Sequence, residues 1–197
     1  MDILLATTNK GKIRELGDLL KNTDMKILSL SDLPEYTEVE ETGSTFAENA
    51  FIKARAVCAL SRTVTLADDS GLEVDALNGA PGVYSARYAG EPKNDQRNID
   101  KLLNDLEGVP EEKRTARFRC CLAIVCPDGR EYLTEGSVDG RILFEEKGND
   151  GFGYDPIFYL PDLGKTMAEL SLDQKNALSH RAQAFAKAVP ILEGLRL

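Results

Sequence analysis

Two adjacent carboxylates, Asp68 and Asp69, follow the apolar run Val64-Thr65-Leu66-Ala67 and precede Ser70-Gly71. Neighbouring carboxylates repel unless a cation or a proton stands between them, so a pair at the end of an apolar strand suits a hard-metal site. A plain turn is the competing reading, because Asp, Ser and Gly all favour turns. A second concentration is Thr7-Thr8-Asn9-Lys10-Gly11-Lys12. Hydroxyls, a glycine, two lysines and the N–H groups of a helix start make an anion cradle there. It lacks the glycine order of a P-loop or a dinucleotide fingerprint, and an ordinary helix cap with solvated lysines accounts for it equally well. Glu40-Glu41-Thr42-Gly43 reads on its own as solvated acidic surface, and Lys53 as either a surface lysine or an inward cation.

Two further groups lie late in the chain. In Gly151-Phe152-Gly153-Tyr154-Asp155-Pro156, glycines permit close backbone approach, Phe152 can stack on a planar base and Asp155 can accept hydrogen bonds. Lys175 precedes Ser179-His180-Arg181, which holds the only histidine of the chain. A lone histidine is more often structural than catalytic, but the neighbouring Ser and Arg favour anion contact.

The elements that must carry these groups follow from periodicity. Met1 to Ala6 reads as a buried strand, and residues 11–21 as a helix with Ile13, Leu16, Leu19 and Leu20 at helical spacing. A short strand at Lys26–Leu30 leads into an acidic loop, Pro34 to Gly43. Thr45 with Glu48 three residues on is a capping box for a second helix. Two short strands are expected at Val64–Ala67 and Leu72–Asp75, and a helix at about residues 94–106. Arg117–Val125, the turn Pro127-Asp128-Gly129 and Glu131–Phe144 predict a long hairpin, with Gly136 or Gly140 allowing a bend. A strand at Ile157–Tyr159 and a helix from Ser179 to Leu192, shortened by Pro190, close the chain. Helices and strands intermix without linkers, which predicts one α/β unit.

Composition bounds the partners. The 197 residues carry 24 Lys plus Arg against 33 Asp plus Glu, a formal charge of −9. That mean field disfavours nucleic acid and anionic membranes as partners, while leaving room for a small anion held by a few local cations. No charged segment followed by a long apolar run opens the chain. The four cysteines, Cys58, Cys120, Cys121 and Cys126, form no C-x-x-C pair and read as buried core thiols of a cytoplasmic protein.

Taken together, and in this order, these motifs resemble the inosine/xanthosine triphosphate pyrophosphatase family, the Ham1-like enzymes, almost end to end. The resemblance runs through Leu5-Ala6-Thr7-Thr8-Asn9-Lys10-Gly11-Lys12, the stretch Glu40 to Ala50, Ala67 to Leu72, Pro81 to Arg87, Gly151 to Pro156 and Leu178 to Arg181. It implies a single domain over residues 1–197, with an elongated α/β fold, a long mixed sheet and two lobes around a cleft. It implies a homodimer, a Mg²⁺ requirement and hydrolysis of ITP, dITP or XTP to monophosphate plus pyrophosphate. By the same resemblance Asp69 is the proton acceptor, and Glu40 and Asp69 hold the metal, with Asp68 close enough to assist. The segment Thr7, Thr8, Asn9, Lys10, Gly11 and Lys12, with Lys53 and Ser70, would contact triphosphate and sugar, Lys10 standing where the family varies. Phe152, Gly153, Tyr154, Asp155, Lys175, His180 and Arg181 would form the base pocket. Two alternatives stand beside this reading. Maf-type pyrophosphatases open similarly but carry Ser-Pro-Arg-Arg-like residues where this chain has Thr8-Asn9-Lys10-Gly11. A nucleotide sensor without turnover would have no use for Glu40, Asp68 and Asp69.

Overall fold

The computed structural model describes residues 1–21, 23–33, 36–37 and 39–195. Its strands are β1 (Asp2–Leu5), β2 (Lys26–Ser29), β3 (Val64–Val74), β4 (Thr115–Val125), β5 (Glu131–Ile142), β6 (Phe158–Leu160) and β7 (Lys165–Thr166). Its helices are α1 (Lys10–Leu20), α2 (Phe46–Ser61), α3 (Asp95–Asp105), α4 (Leu172–Leu178) and α5 (His180–Gly194). Among the described residues the strands form one open mixed sheet in the order β2-β1-β3-β4-β5-β6-β7. β1 runs parallel to both β2 and β3, whereas β6 is antiparallel to β5 and β7.

The chain divides into two compact units. The first comprises Met1–Asp69, Cys120–Gly136 and His180–Leu197. Its core joins Ile3 and Leu5 of β1, Leu16 and Leu20 of α1, and Phe185, Ala188 and Leu192 of α5. Each of the Ile, Leu and Phe side chains contributes about 1.5–3 kcal/mol when fully buried. The second unit comprises Ser70–Arg119 and Ser137–Ser179. There Ile99, Leu102 and Leu106 join Phe118 and Phe158, whose rings lie 4.4 Å apart at 39°.

Four local expectations change. The two short strands around the Asp pair are one eleven-residue strand, β3, so Asp68 and Asp69 lie within it. It is the neighbouring strand β1 that ends before them, pairing with Val64, Thr65 and Leu66. Pro190 does not shorten α5: it is exposed, and so is Ala186, whose carbonyl it cannot serve and which can therefore turn to water. Gly140 serves close approach, since a Cβ there would stand 2.5 Å from the Tyr159 carbonyl oxygen. Helix α4, whose box is Ser171 with Gln174, went unread in the sequence. Three residues of the expected acidic loop, Pro34, Glu35 and Glu38, lie outside the described residues. All four cysteines are buried free thiols, and among the described residues no helix is long and apolar enough to cross a membrane.

Candidate active site

In the first unit β1 ends at Leu5 while its parallel neighbour β3 runs on, and Lys12, Lys53, Asp68, Asp69 and Arg181 come together beyond the end of β1. Past β1, Asn9 caps α1: its Oδ1 accepts the N–H groups of Gly11 (2.9 Å) and Lys12 (3.2 Å), and Thr7 Oγ1 accepts the Asn9 N–H. Those amides are thus engaged in a helix cap, while Thr8 and Lys10 are exposed. Lys12 turns inward, its Nζ 2.7 Å from Asp68 Oδ2.

Asp68 is a charge hub. Its Oδ2 also lies 3.4 Å from Arg181 Nε, and Arg181 Nη1 pairs with Glu15 of α1. Burial alone would push the Asp68 carboxyl up, but Lys12, Arg181 and Lys53 together outweigh it and hold it far below the usual carboxylate range. Burial would likewise discharge Arg181, and Glu15 with Asp68 keeps it charged. Such a buried network is costly to break, because removing one member leaves an uncompensated charge worth about 3–5 kcal/mol.

Asp69, one residue on, behaves oppositely. Burial raises its pKa, and the nearby ammonium groups of Lys53 and Lys12 do not fully offset that. Asp69 Oδ2 is buried and has no hydrogen-bond partner among the described residues. Lys53 Nζ sits among three oxygens: the Asp68 carbonyl (2.8 Å), Glu41 Oε1 (3.1 Å) and Asp69 Oδ1 (3.5 Å). Burial works against the Lys53 charge, but Asp69, Asp68 and Glu41 more than restore it. The carboxylate that reaches this group is Glu41; Glu40 is exposed.

Three cations, Lys12, Lys53 and Arg181, thus face four carboxylates, Glu15, Glu41, Asp68 and Asp69. Hard oxygens around an ammonium, with one orphaned carboxylate oxygen beside them, are a donor set that fits a hard divalent cation. No group of three His, Cys, Asp or Glu among the described residues makes a complete metal cage. A cation held by one or two carboxylates and completed by phosphate oxygens needs no such cage.

In the second unit α4 supplies Lys175, whose Nζ lies 2.7 Å from Asp155 Oδ2, with both side chains buried. Asp155 Oδ2 also accepts the Phe152 N–H at 3.0 Å, and the Lys175 ammonium stands 4.7 Å from the Phe152 ring centre. The Gly153 N–H goes to Asp95 Oδ2 at 2.9 Å. Tyr154 is a core residue, its hydroxyl donating to the Ser85 carbonyl at 2.8 Å. Ser70 is half-buried, and His180, in the first unit, opens α5 as a buried residue.

Three residues of the first unit's site went unread in the sequence. Glu15 was visible only as a charge inside the apolar stripe of α1, Glu41 only as half of an acidic pair, and Asn49 only as a polar residue one turn before Lys53.

A parallel strand pair with two inward lysines and two differently tuned aspartates beside it is the kind of α/β site that suits an enzyme acting on a metal-bound phosphate. The family model described as the Ham1 family matches residues 3–191. A dITP/XTP pyrophosphatase of Desulforamulus reducens is 56% identical over 195 residues, covering 99% of this chain and 97% of that protein. Among solved structures, the Staphylococcus aureus Ham1 protein aligns with a TM-score of 0.88 at 46% identity, covering 98% of this chain and 99% of that one. A HAM1 protein from Coxiella burnetii aligns with a TM-score of 0.90 at 41% identity, with 98% and 99% covered. The chain belongs to the Ham1 family.

Proposed function

We propose that this protein is a nucleoside triphosphate pyrophosphatase that hydrolyses ITP, dITP and XTP to monophosphate plus pyrophosphate, clearing deaminated purine nucleotides from the precursor pool. The observation that carries the reading is Asp69: a buried carboxylate with a raised pKa and an orphaned oxygen, one side chain away from Lys53.

Attack of water on the α-phosphorus forms one P–O bond and breaks the bond to the bridging oxygen of the β-phosphate. Asp69 takes the proton of the attacking water, a task suited to a carboxylate whose pKa burial has moved towards neutrality. Lys12 and Lys53 stabilise the departing pyrophosphate, and Thr7 to Lys12 with Ser70 line the triphosphate and sugar. Asp69 and an acidic-segment carboxylate, Glu40 or the inward Glu41, would hold Mg²⁺, which supplies charge neutralisation on the phosphates when bound. Asp68 assists as the counter-charge that keeps Lys12 and Arg181 in place.

Phe152, Gly153, Tyr154, Asp155, Lys175, His180 and Arg181 would serve the base. Donors directed at the 6-oxo group of hypoxanthine or xanthine reject adenine, whose amino group leaves them unpaired, by up to roughly 10⁴-fold. The same reading carries a homodimer in the cytoplasm; the four buried free thiols favour a reducing compartment.

Incubation with dITP and Mg²⁺ is expected to release pyrophosphate, with ATP turned over far more slowly and EDTA stopping the reaction. Stepwise release of orthophosphate, or equal turnover of ATP and dITP, would refute the proposal.

A further inference from the structure

Asn49 lies on α2 four residues before Lys53, hence on the same face of the helix, and it is fully buried. Its Oδ1 accepts the Gly43 N–H at 2.8 Å. A Cβ on residue 43 would stand 2.6 Å from that Oδ1 and 2.7 Å from Glu48 Cβ, so only glycine lets the segment lie this close to the helix. The next residues are tied down as well: Ser44 N–H and Oγ, and the Thr45 N–H, all donate to Glu48 Oε2. The acidic segment is thereby fastened two residues after Glu41, whose Oε1 meets Lys53 Nζ at 3.1 Å. Asn49 Nδ2 is buried and has no hydrogen-bond partner among the described residues. An apolar side chain of similar size would avoid that desolvation loss, so the stability of α2 gives no reason for an amide here. The acceptor presented to Gly43 does.

We propose that Asn49 is a positioning residue that, by holding Gly43, fixes the acidic segment so that Glu41 and Asp69 can serve one divalent cation. It acts through the backbone and touches neither substrate nor metal. Its effect on turnover rests on the pyrophosphatase reading; its effect on metal binding does not.

The test is a Mn²⁺ titration of the nucleotide-free protein, read by electron paramagnetic resonance, for wild type, Asn49→Ala, Gly43→Ala and the double variant. Each single change is expected to weaken Mn²⁺ binding by about 10- to 100-fold, the range for loss of a residue that orients a metal ligand. The Mg²⁺ concentration for half-maximal dITP turnover should rise by the same factor, while kcat at saturating Mg²⁺ stays within about threefold. Because both changes break one contact, the double variant should bind no more weakly than the weaker single variant. Unchanged Mn²⁺ affinity in both single variants, effects that multiply in the double variant, or no Mn²⁺ binding by the wild type would each overturn the proposal. Should Asn49→Ala lose its thermal transition, Gly43→Ala decides alone, since Gly43 lies outside the core. A wild type that binds Mn²⁺ but leaves dITP intact refutes the pyrophosphatase reading and leaves the role of Asn49 to the Mn²⁺ titration, so the two fail separately.

Discussion

Asp68 and Asp69 are the same residue type one position apart, and their surroundings give them opposite characters. Asp69→Asn is expected to lower kcat on dITP by about 10²- to 10⁴-fold, the usual worth of a general base, while the protein stays folded. The raised pKa of Asp69 also sets how stability depends on pH. A carboxyl whose folded pKa lies above its unfolded value contributes stability below the unfolded value and loses it as pH rises through the folded one. Asp69→Asn should therefore raise Tm at pH 7, with the gain vanishing towards pH 4. Asp68 is the reverse case, its folded pKa depressed, so its contribution is present at neutral pH and lost as pH falls below the ordinary carboxylate range. Asp68→Asn should cost about 3–5 kcal/mol at pH 7, with Lys12 and Arg181 left facing a neutral amide. Thermal melts across pH 3 to 8 check both aspartates.

At the scale of elements, α1 and β3 each deliver two charged groups to the first unit's site, and α2 and α5 one each, so site and packing are coupled. Gly136 of β5 shows this most directly. A Cβ there would collide with the His180 carbonyl oxygen and stand 2.8 Å from the Ala184 nitrogen, at the start of α5. Thr134 Oγ1 reinforces that contact by donating to the Ala184 carbonyl at 2.8 Å. Gly136→Ala is expected to destabilise the protein by about 1–3 kcal/mol and to raise KM for dITP as His180 and Arg181 shift. A melt and a substrate titration read the two effects. The helical spacing of apolar residues in α1 and the Thr45–Glu48 box of α2 made those helices legible in the sequence. α4 was not legible, because seven residues give too little periodicity to separate a helix from a loop.

At the scale of the whole molecule, the charge of −9 misleads unless its distribution is known. Four of the acidic groups face three cations in one buried cluster, and there a divalent cation would turn a net negative group into one that accepts a phosphate. The four buried thiols give a direct check: none should react with a thiol reagent in the native protein, and all four should react in denaturant. The proposed homodimer should appear in light scattering at twice the mass of the chain; a monomer at micromolar concentration would refute it.

The sequence by itself determined the class of fold, the order of most elements and the positions of the chemical motifs. Periodicity, caps and turn residues act over a few positions and can be read locally. What only the tertiary structure decided is which carboxylate does what. Adjacent residues on a strand point to opposite faces, so Asp68 and Asp69 meet different neighbours. Asp68 meets Lys12 from α1 and Arg181 from α5, more than a hundred residues away along the chain, and is held ionised. Asp69 meets Lys53 and keeps one oxygen buried without a hydrogen-bond partner among the described residues. The same holds for the acidic segment, where Glu41 rather than Glu40 turns inward because Asn49 and Glu48 tie down the residues after it. Electrostatic character depends on distances across the fold, and no spacing along the chain encodes them.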